Sequence, residues 1–386
     1  MTELQQRTAL NVSRLVVPES LDAPDAGPFL ELVRIGNAVC LADAGHDYLH
    51  EDAEEVFGFW QDQTDWTQIG FTAERGGRML GAVKIMISNE DDITSLDFDL
   101  MVDPDHWGEG AEEALLAAVE AEAQTRGIRT IQTWTLHRPN ADGPRMAPPT
   151  GYGSVPADDR QTVFMGENGF TLEQVERNSV FDLHGPLDTV HRKLAEAEEA
   201  AGEDYRLVTW TSPTPPEHLD GFAYAISRMS TDAPAGGLVI EEQHWDAARV
   251  QRRDARLKAQ GLTVSVACAQ HVPTGTIAAY NELVIAEDHT GATQQYGTLV
   301  LKGHRGHRLG TIVKCANLLR WRELVPESPR VSTFNAEENR HMLDINEGIG
   351  FVPASYAGAW QKVLNRPTGV DVGVSGSAGS NGLTGS

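Results

Sequence analysis

The sequence predicts an α/β chain made of two copies of one strand–turn–helix unit in tandem. Three observations carry this. Leu299-Val300-Leu301, preceded by Thr298, read as the end of a buried strand. A basic, glycine-containing turn follows, and then Ile312, Val313, Ala316 and Leu319 recur at helical spacing from near Gly310. Earlier in the chain the alternating strand Leu96–Met101 leads into Trp107-Gly108-Glu109-Gly110 and a helix carrying Leu115, Leu116 and Val119. A chain of 386 residues is long for one domain and natural for two.

A strand, a basic turn and a helix N-terminus make a phosphate site, because the first helical turn leaves N–H groups free and its dipole favours negative charge. Gly306 and Gly310 let a ligand approach the backbone closely. No Gly-Lys-Ser/Thr of a Walker loop follows, and the glycines are not spaced as in a dinucleotide fingerprint.

The stretch Arg305-Gly306-His307-Arg308-Leu309-Gly310 resembles the pyrophosphate loop Arg/Gln-x-x-Gly-x-Gly/Ala of the GCN5-related N-acetyltransferase (GNAT) superfamily. It departs from the pattern at Arg308, where that family has its central glycine. Downstream, Arg330–Ala336 reads as a strand, Glu337–Gly348 as a helix, and Gly350-Phe351 as a return to extended chain, in the order that family shows. The resemblance implies an acyl-coenzyme A, normally acetyl-coenzyme A, held by Leu299, Val300, Leu301, His304, Arg305, Gly306, His307, Arg308, Leu309, Gly310 and Thr311. It implies that Asn335 and Asn339 line the pantetheine arm. It also implies a mixed, mostly antiparallel central sheet flanked by helices in each domain.

Laid on the later loop, Trp107 matches Arg305, Gly108 matches Gly306 and Gly110 matches Arg308. Thr133-Trp134 matches Thr333-Phe334, and Gly169-Phe170 matches Gly350-Phe351. Upstream, Arg14–Val17 matches Arg206–Thr209, and Gly81–Val83 matches Thr276–Ala278. The expected organisation is a degenerate domain at 1–185, a linker helix within 186–202, a cofactor-binding domain at 203–365 and a disordered Gly/Ser-rich tail at 366–386. The first loop has Trp107 for the arginine and Glu112 at the last small position, and a Pro/Gly-rich insertion, Arg138–Arg160, stands where the second copy opens with Asn335 and Asn339. An indole and a carboxylate replace groups that should face pyrophosphate, so the first domain is expected to bind no coenzyme A and to serve as scaffold and one wall of the acceptor site. Tandem members of the superfamily, such as mycothiol synthase, are similar in organisation.

The net charge of −25 argues against nucleic-acid or anionic-membrane partners, which require concentrated positive charge, and is compatible with an amine substrate. Cys40, Cys268 and Cys315 give neither a disulfide framework nor metal-ligand pairing. The first residues lack a signal peptide's apolar core, and no apolar run approaches a membrane span, so a soluble, cytoplasmic monomer or homodimer is expected.

The resemblance implies acyl transfer to a primary amine of a small molecule by direct attack on the thioester, with the strand splaying from its neighbour just beyond Leu299–Leu301. The family's usual acid position, four residues before Gly350-Phe351, holds Asn346, which cannot donate a proton as an acid. Tyr296, Tyr280 or Tyr356 could substitute if the fold brings one close, and Glu282 and Asp232 are candidate bases. A non-catalytic acyl-coenzyme A sensor or protein-interaction module and an aminoacyl-tRNA-dependent transferase are the competing readings, the last disfavoured by the negative charge.

Overall fold

The computed structural model describes residues 9–139 and 142–364. The extreme N-terminus and the tail at 366–386 lie outside them.

The first repeat runs β1 (Asn11–Arg14), α1 (Gly27–Ala44), α2 (Ala53–Gln61), β2 (Trp66–Arg75), β3 (Arg78–Ser88), β4 (Ser95–Val102), α3 (Ala111–Arg126), β5 (Thr130–His137), the two-residue strands β6 (Arg145–Met146) and β7 (Val155–Pro156), α4 (Arg160–Glu167) and β8 (Thr171–Asp182). Helix α5 (Asp188–Ala201) connects the repeats. The second runs β9 (Tyr205–Thr211), α6 (Leu219–Ser227), the single turn α7 (Met229–Asp232), α8 (Ala247–Ala259), β10 (Thr263–His271), β11 (Ile277–Ile285), β12 (Thr293–Val300), α9 (Leu309–Leu324), β13 (Arg330–Ala336), α10 (Arg340–Ile349) and β14 (Val352–Val363).

Local chemistry sets these boundaries. Gly127 takes a left-handed conformation that ends α3, and Gly350 does the same for α10. The α10 helix starts at Arg340 rather than Glu337, because the Asn339 side chain caps it by accepting from the Met342 N–H. The first strand lies at Asn11–Arg14; Leu15 still donates to the Gly70 carbonyl, and the chain then leaves the sheet ahead of Pro18.

Twelve strands form one sheet in the order β1-β2-β3-β4-β5-β14-β8-β13-β12-β11-β10-β9, mostly antiparallel. The order is a palindrome of the two repeats, except that their last strands are exchanged. Strand β14 pairs with β5 of the first repeat, and β8 pairs with β13 of the second. The two exchanged strands pair with each other at the centre. The cores are exchanged too. Trp360 on β14 is buried with Phe98, Leu115 and Phe170 of the first repeat. Phe181 on β8 is buried with Trp321, Val331 and Phe351 of the second.

Each repeat holds one parallel pair, and each pair opens after a few residues. The β4–β5 ladder covers Ser95–Asp97, and the β12–β13 ladder covers only Thr293 and Gln294. The second splay therefore begins at Gln295, well before the Leu299–Leu301 expected from the loop. The second splayed strand also carries a bulge that the first lacks. Tyr296 and Gly297 together face the single residue Glu282 on β11, whereas the equivalent β3–β4 ladder runs from Gly81–Val102 to Met86–Asp97 without a break. A Cβ on Gly297 would lie 2.7 Å from the buried Tyr280 ring, so glycine is required there.

Because each repeat lacks a strand that only the other supplies, residues 203–364 expressed alone should not give a cooperative fold, and mixing with 9–202 should restore it. Circular dichroism with thermal melting checks this; a two-state melt of the isolated second repeat would show that β8 is dispensable.

Candidate functional site

The two loops share one backbone. After β4 and after β12 the chain makes a short 3₁₀ turn, Pro104–His106 or Lys302–His304. Gly108 and Gly306 then have φ of 85° and 90°, and Gly110 and Arg308 cap α3 and α9 in the left-handed region at 92° and 55°. Arg308 thus takes the conformation that its glycine counterpart adopts freely, which costs a residue with a Cβ of order 1–3 kcal/mol. Its charge stays at the mouth of the loop.

The loops differ in what fills them. In the first, the buried Glu112 carboxylate accepts the Gly108 N–H at 2.6 Å. Trp107 packs on Phe164, with Arg160 over its ring. The first loop thus satisfies its own anion site with a side-chain carboxylate. In the second, Gly306 donates to no protein atom among the described residues. Gly310 replaces Glu112, with Ile345 and Val300 close to where a Cβ would stand.

A cleft of about 410 Å³ opens between the end of β12, the loop, α9 and α10. Thr298, Leu299, Val300, Arg305, Gly306, Arg308, Leu309, Gly310, Thr311 and Asn339 line it. The guanidinium of Arg305 crosses its mouth, donating to the carbonyls of Val300 and Asp232. Leu301 turns into the core below. His304 and His307 sit outside the cleft lining against Tyr205, whose hydroxyl lies 3.0 Å from His304 Nδ1. Burial, with His271 and His307 nearby, holds His304 below its usual range. Asn335 is not among the lining residues: it accepts a hydrogen bond from Asn346 at 2.7 Å.

The four residues expected to carry chemistry do not converge. Asn346 is buried in α10, with its amide committed to Asn335. Glu282 is buried against Arg253 at 2.8 Å. Asp232 is bound to Arg228 at 2.7 Å and Lys302 at 3.2 Å; burial works the other way, yet these partners hold it below the usual carboxylate range. An ion-paired carboxylate is a poor base. Tyr296 does stand at a site. The bulge turns it away from the cleft into a space between the repeats, where its hydroxyl lies 3.5 Å from Glu55 on α2.

Glu55 is the residue that sequence reasoning missed. Together with Tyr296 it borders three adjoining hollows of about 450, 350 and 310 Å³. Burial, reinforced by Glu51 and Asp52, pushes its carboxyl up to about 7. Gln294 and Tyr296 border this space and Thr298, Leu299 and Val300 border the cleft, so β12 runs past both, with its bulge between them. Nothing local marks Glu55 in the sequence, since it belongs to the other repeat.

Glu112→Ala should lower stability by about 1.5–3 kcal/mol, the worth of a hydrogen bond to a charged group, as read by chemical denaturation. An unchanged midpoint would show that the carboxylate does not close the first loop.

Residues 39–146 match the family model described as Acetyltransferase (GNAT) family, a segment within the first repeat. Among solved structures, the chain is similar to a tandem GNAT protein from the clavulanic acid biosynthesis pathway, at 21% identity and a TM-score of 0.67, over 92% of this chain and 98% of that one. It is also similar to a GCN5-related N-acetyltransferase from Sphaerobacter thermophilus, at 15% identity and a TM-score of 0.58, over 92% and 95%. No curated protein matches by sequence. No helix among the described residues is long and apolar enough to cross a membrane. The family model thus matches a segment of the first repeat, and the likeness in fold to a tandem GNAT protein runs across both repeats.

Proposed function

We propose that the chain is an acyl-coenzyme A-dependent N-acyltransferase with one working cleft, in the second repeat, and an acceptor site shared by both repeats. The observation that carries this reading is the contrast between the loops: the first is closed by Glu112 on Gly108, while the second is open, basic and glycine-lined. A bound acyl-coenzyme A would supply a thioester carbon open to attack by an amine.

The residues fit that ligand. The free N–H groups at the start of α9 and the charges of Arg305 and Arg308 suit a pyrophosphate. The splayed edge of β12 from Gln295 onward offers unpaired backbone to an amide-containing arm, and a bulge N–H suits a developing oxyanion. On the far side of the bulge, Glu55 takes the proton of an incoming ammonium group; a carboxyl near 7 is matched to that task at neutral pH. No residue is assigned as acid, because a thiolate whose pKa is about 8.5 leaves without strong assistance.

Two substitutions test this reading. Arg305→Ala should raise the KM for acetyl-coenzyme A about tenfold or more with little change in kcat, since it removes a charge-assisted contact; an unchanged KM would place the pyrophosphate elsewhere. Glu55→Gln should lower kcat by about 10²-fold and remove from kcat/KM an ionisation near 7. The same substitution should raise the melting temperature at pH 8. The folded-state pKa of Glu55 lies above its unfolded value, so its stabilising contribution is present at low pH and lost as pH rises through about 7. The gain should shrink towards pH 4.5. Full activity with an unaltered pH profile would exclude Glu55 as the base.

A further inference from the structure

In the first repeat the wedge between the parallel strands stays open although its loop is closed. The β4–β5 ladder ends at Asp97 and Gln132, while Glu112 occupies the phosphate end. The hollow of about 350 Å³ reaches this wedge. Leu100 and Met101 on β4, Trp134 and Leu136 on β5, and Val39 on α1 line it. Helix α1 packs on both strands, so these side chains form one apolar strip. Leu100, Trp134 and Leu136 within it remain half-buried.

The same hollow is bordered by Glu55, Tyr296 and Gln294. Its other carboxylates, Glu51 and Asp99, are both engaged by Lys84, at 3.3 and 3.4 Å. Glu55 meets only Tyr296 and the like charges of Glu51 and Asp52. One carboxylate is therefore open to an ammonium group, and beside it lies a strip that an apolar group covers favourably. A second ammonium set on that strip would lose its hydration without gaining a partner.

We infer that the acceptor is a monoamine with an apolar body, and that the wedge of the first repeat holds this body while Glu55 receives the amine. The inference rests on the acyltransferase reading for the fate of that amine, but not for its binding. The first repeat then chooses the acceptor while the second holds the acyl donor. In the transfer itself the amine nitrogen forms a bond to the acyl carbon, the carbon–sulfur bond of the thioester breaks, the thiolate leaves, and the ammonium proton passes to Glu55.

The test is calorimetry on the full chain at pH 8, with and without coenzyme A, using the n-alkylamines from ethylamine to hexylamine. At that pH Glu55 is a carboxylate, and the amines are still ammonium ions, with a pKa near that of lysine, about 10.4. Each methylene that enters the wedge should tighten binding by up to about fourfold, so hexylamine should bind about thirtyfold or more tighter than ethylamine. It should also bind about tenfold or more tighter than 1,6-diaminohexane, which carries a second charge onto the strip. Leu136→Gln, polar at similar size, should flatten the series while leaving coenzyme A affinity unchanged. Affinity that does not rise with chain length, a diamine that binds as well as hexylamine, or an unaltered series in Leu136→Gln would overturn the inference. Failure of coenzyme A to bind, with the alkylamine series intact, would instead overturn the acyltransferase reading alone.

Discussion

Neither repeat can complete its sheet without a strand from the other, and the rest of the structure follows from that exchange. Strands β8 and β14 lie side by side at the centre, each hydrogen-bonded to the partner repeat. Their side chains, Phe181 and Trp360 among them, fill the partner's core. This fixes the two repeats about a pseudo-twofold axis, with both splayed strand pairs close to it. Helix α2 of the first repeat and its counterpart α8 of the second then meet over the same space, where Gln260 on the turn after α8 donates to the Glu55 carbonyl. A site that needs Tyr296 from one repeat and Glu55 from the other can only form in this arrangement.

A second constraint separates the repeats. Both loops leave backbone donors at a helix N-terminus, and such donors need a negative partner. The first repeat supplies its own: Glu112 reaches back from α3 to Gly108. The second supplies none and has Arg305 and Arg308 at the opening instead. The family model matches the repeat whose loop is closed. General sequence resemblance is spread over many strand and helix positions, whereas phosphate binding depends on a few loop residues, so the two need not coincide in one copy.

Much of the fold was legible in the sequence. The repeat, the α/β class and the loop–helix junctions follow from periodicity and glycine placement, which are local. The exchange of β8 and β14 was not legible, because both strands carry the same alternation in either pairing and nothing local names the partner. The bulge at Tyr296-Gly297 was missed for a similar reason: it depends on the Tyr280 ring across the ladder. At the site, the lining of the cleft by Arg305, Gly306 and Gly310 was readable as a loop motif. Asp232 and Glu282 looked available as bases only because their partners, Arg228 with Lys302 and Arg253, come from other elements. Glu55 could not be singled out, since what distinguishes it is burial beside the other repeat.

The most direct test of the central claim, one ligand cleft in a two-repeat chain, is the stoichiometry of acetyl-coenzyme A binding by calorimetry. The account predicts one molecule per intact chain, abolished by Gly310→Glu, which puts the first loop's carboxylate into the second, and unaffected by Trp107→Ala. Two molecules per chain, or undiminished binding in Gly310→Glu, would contradict it.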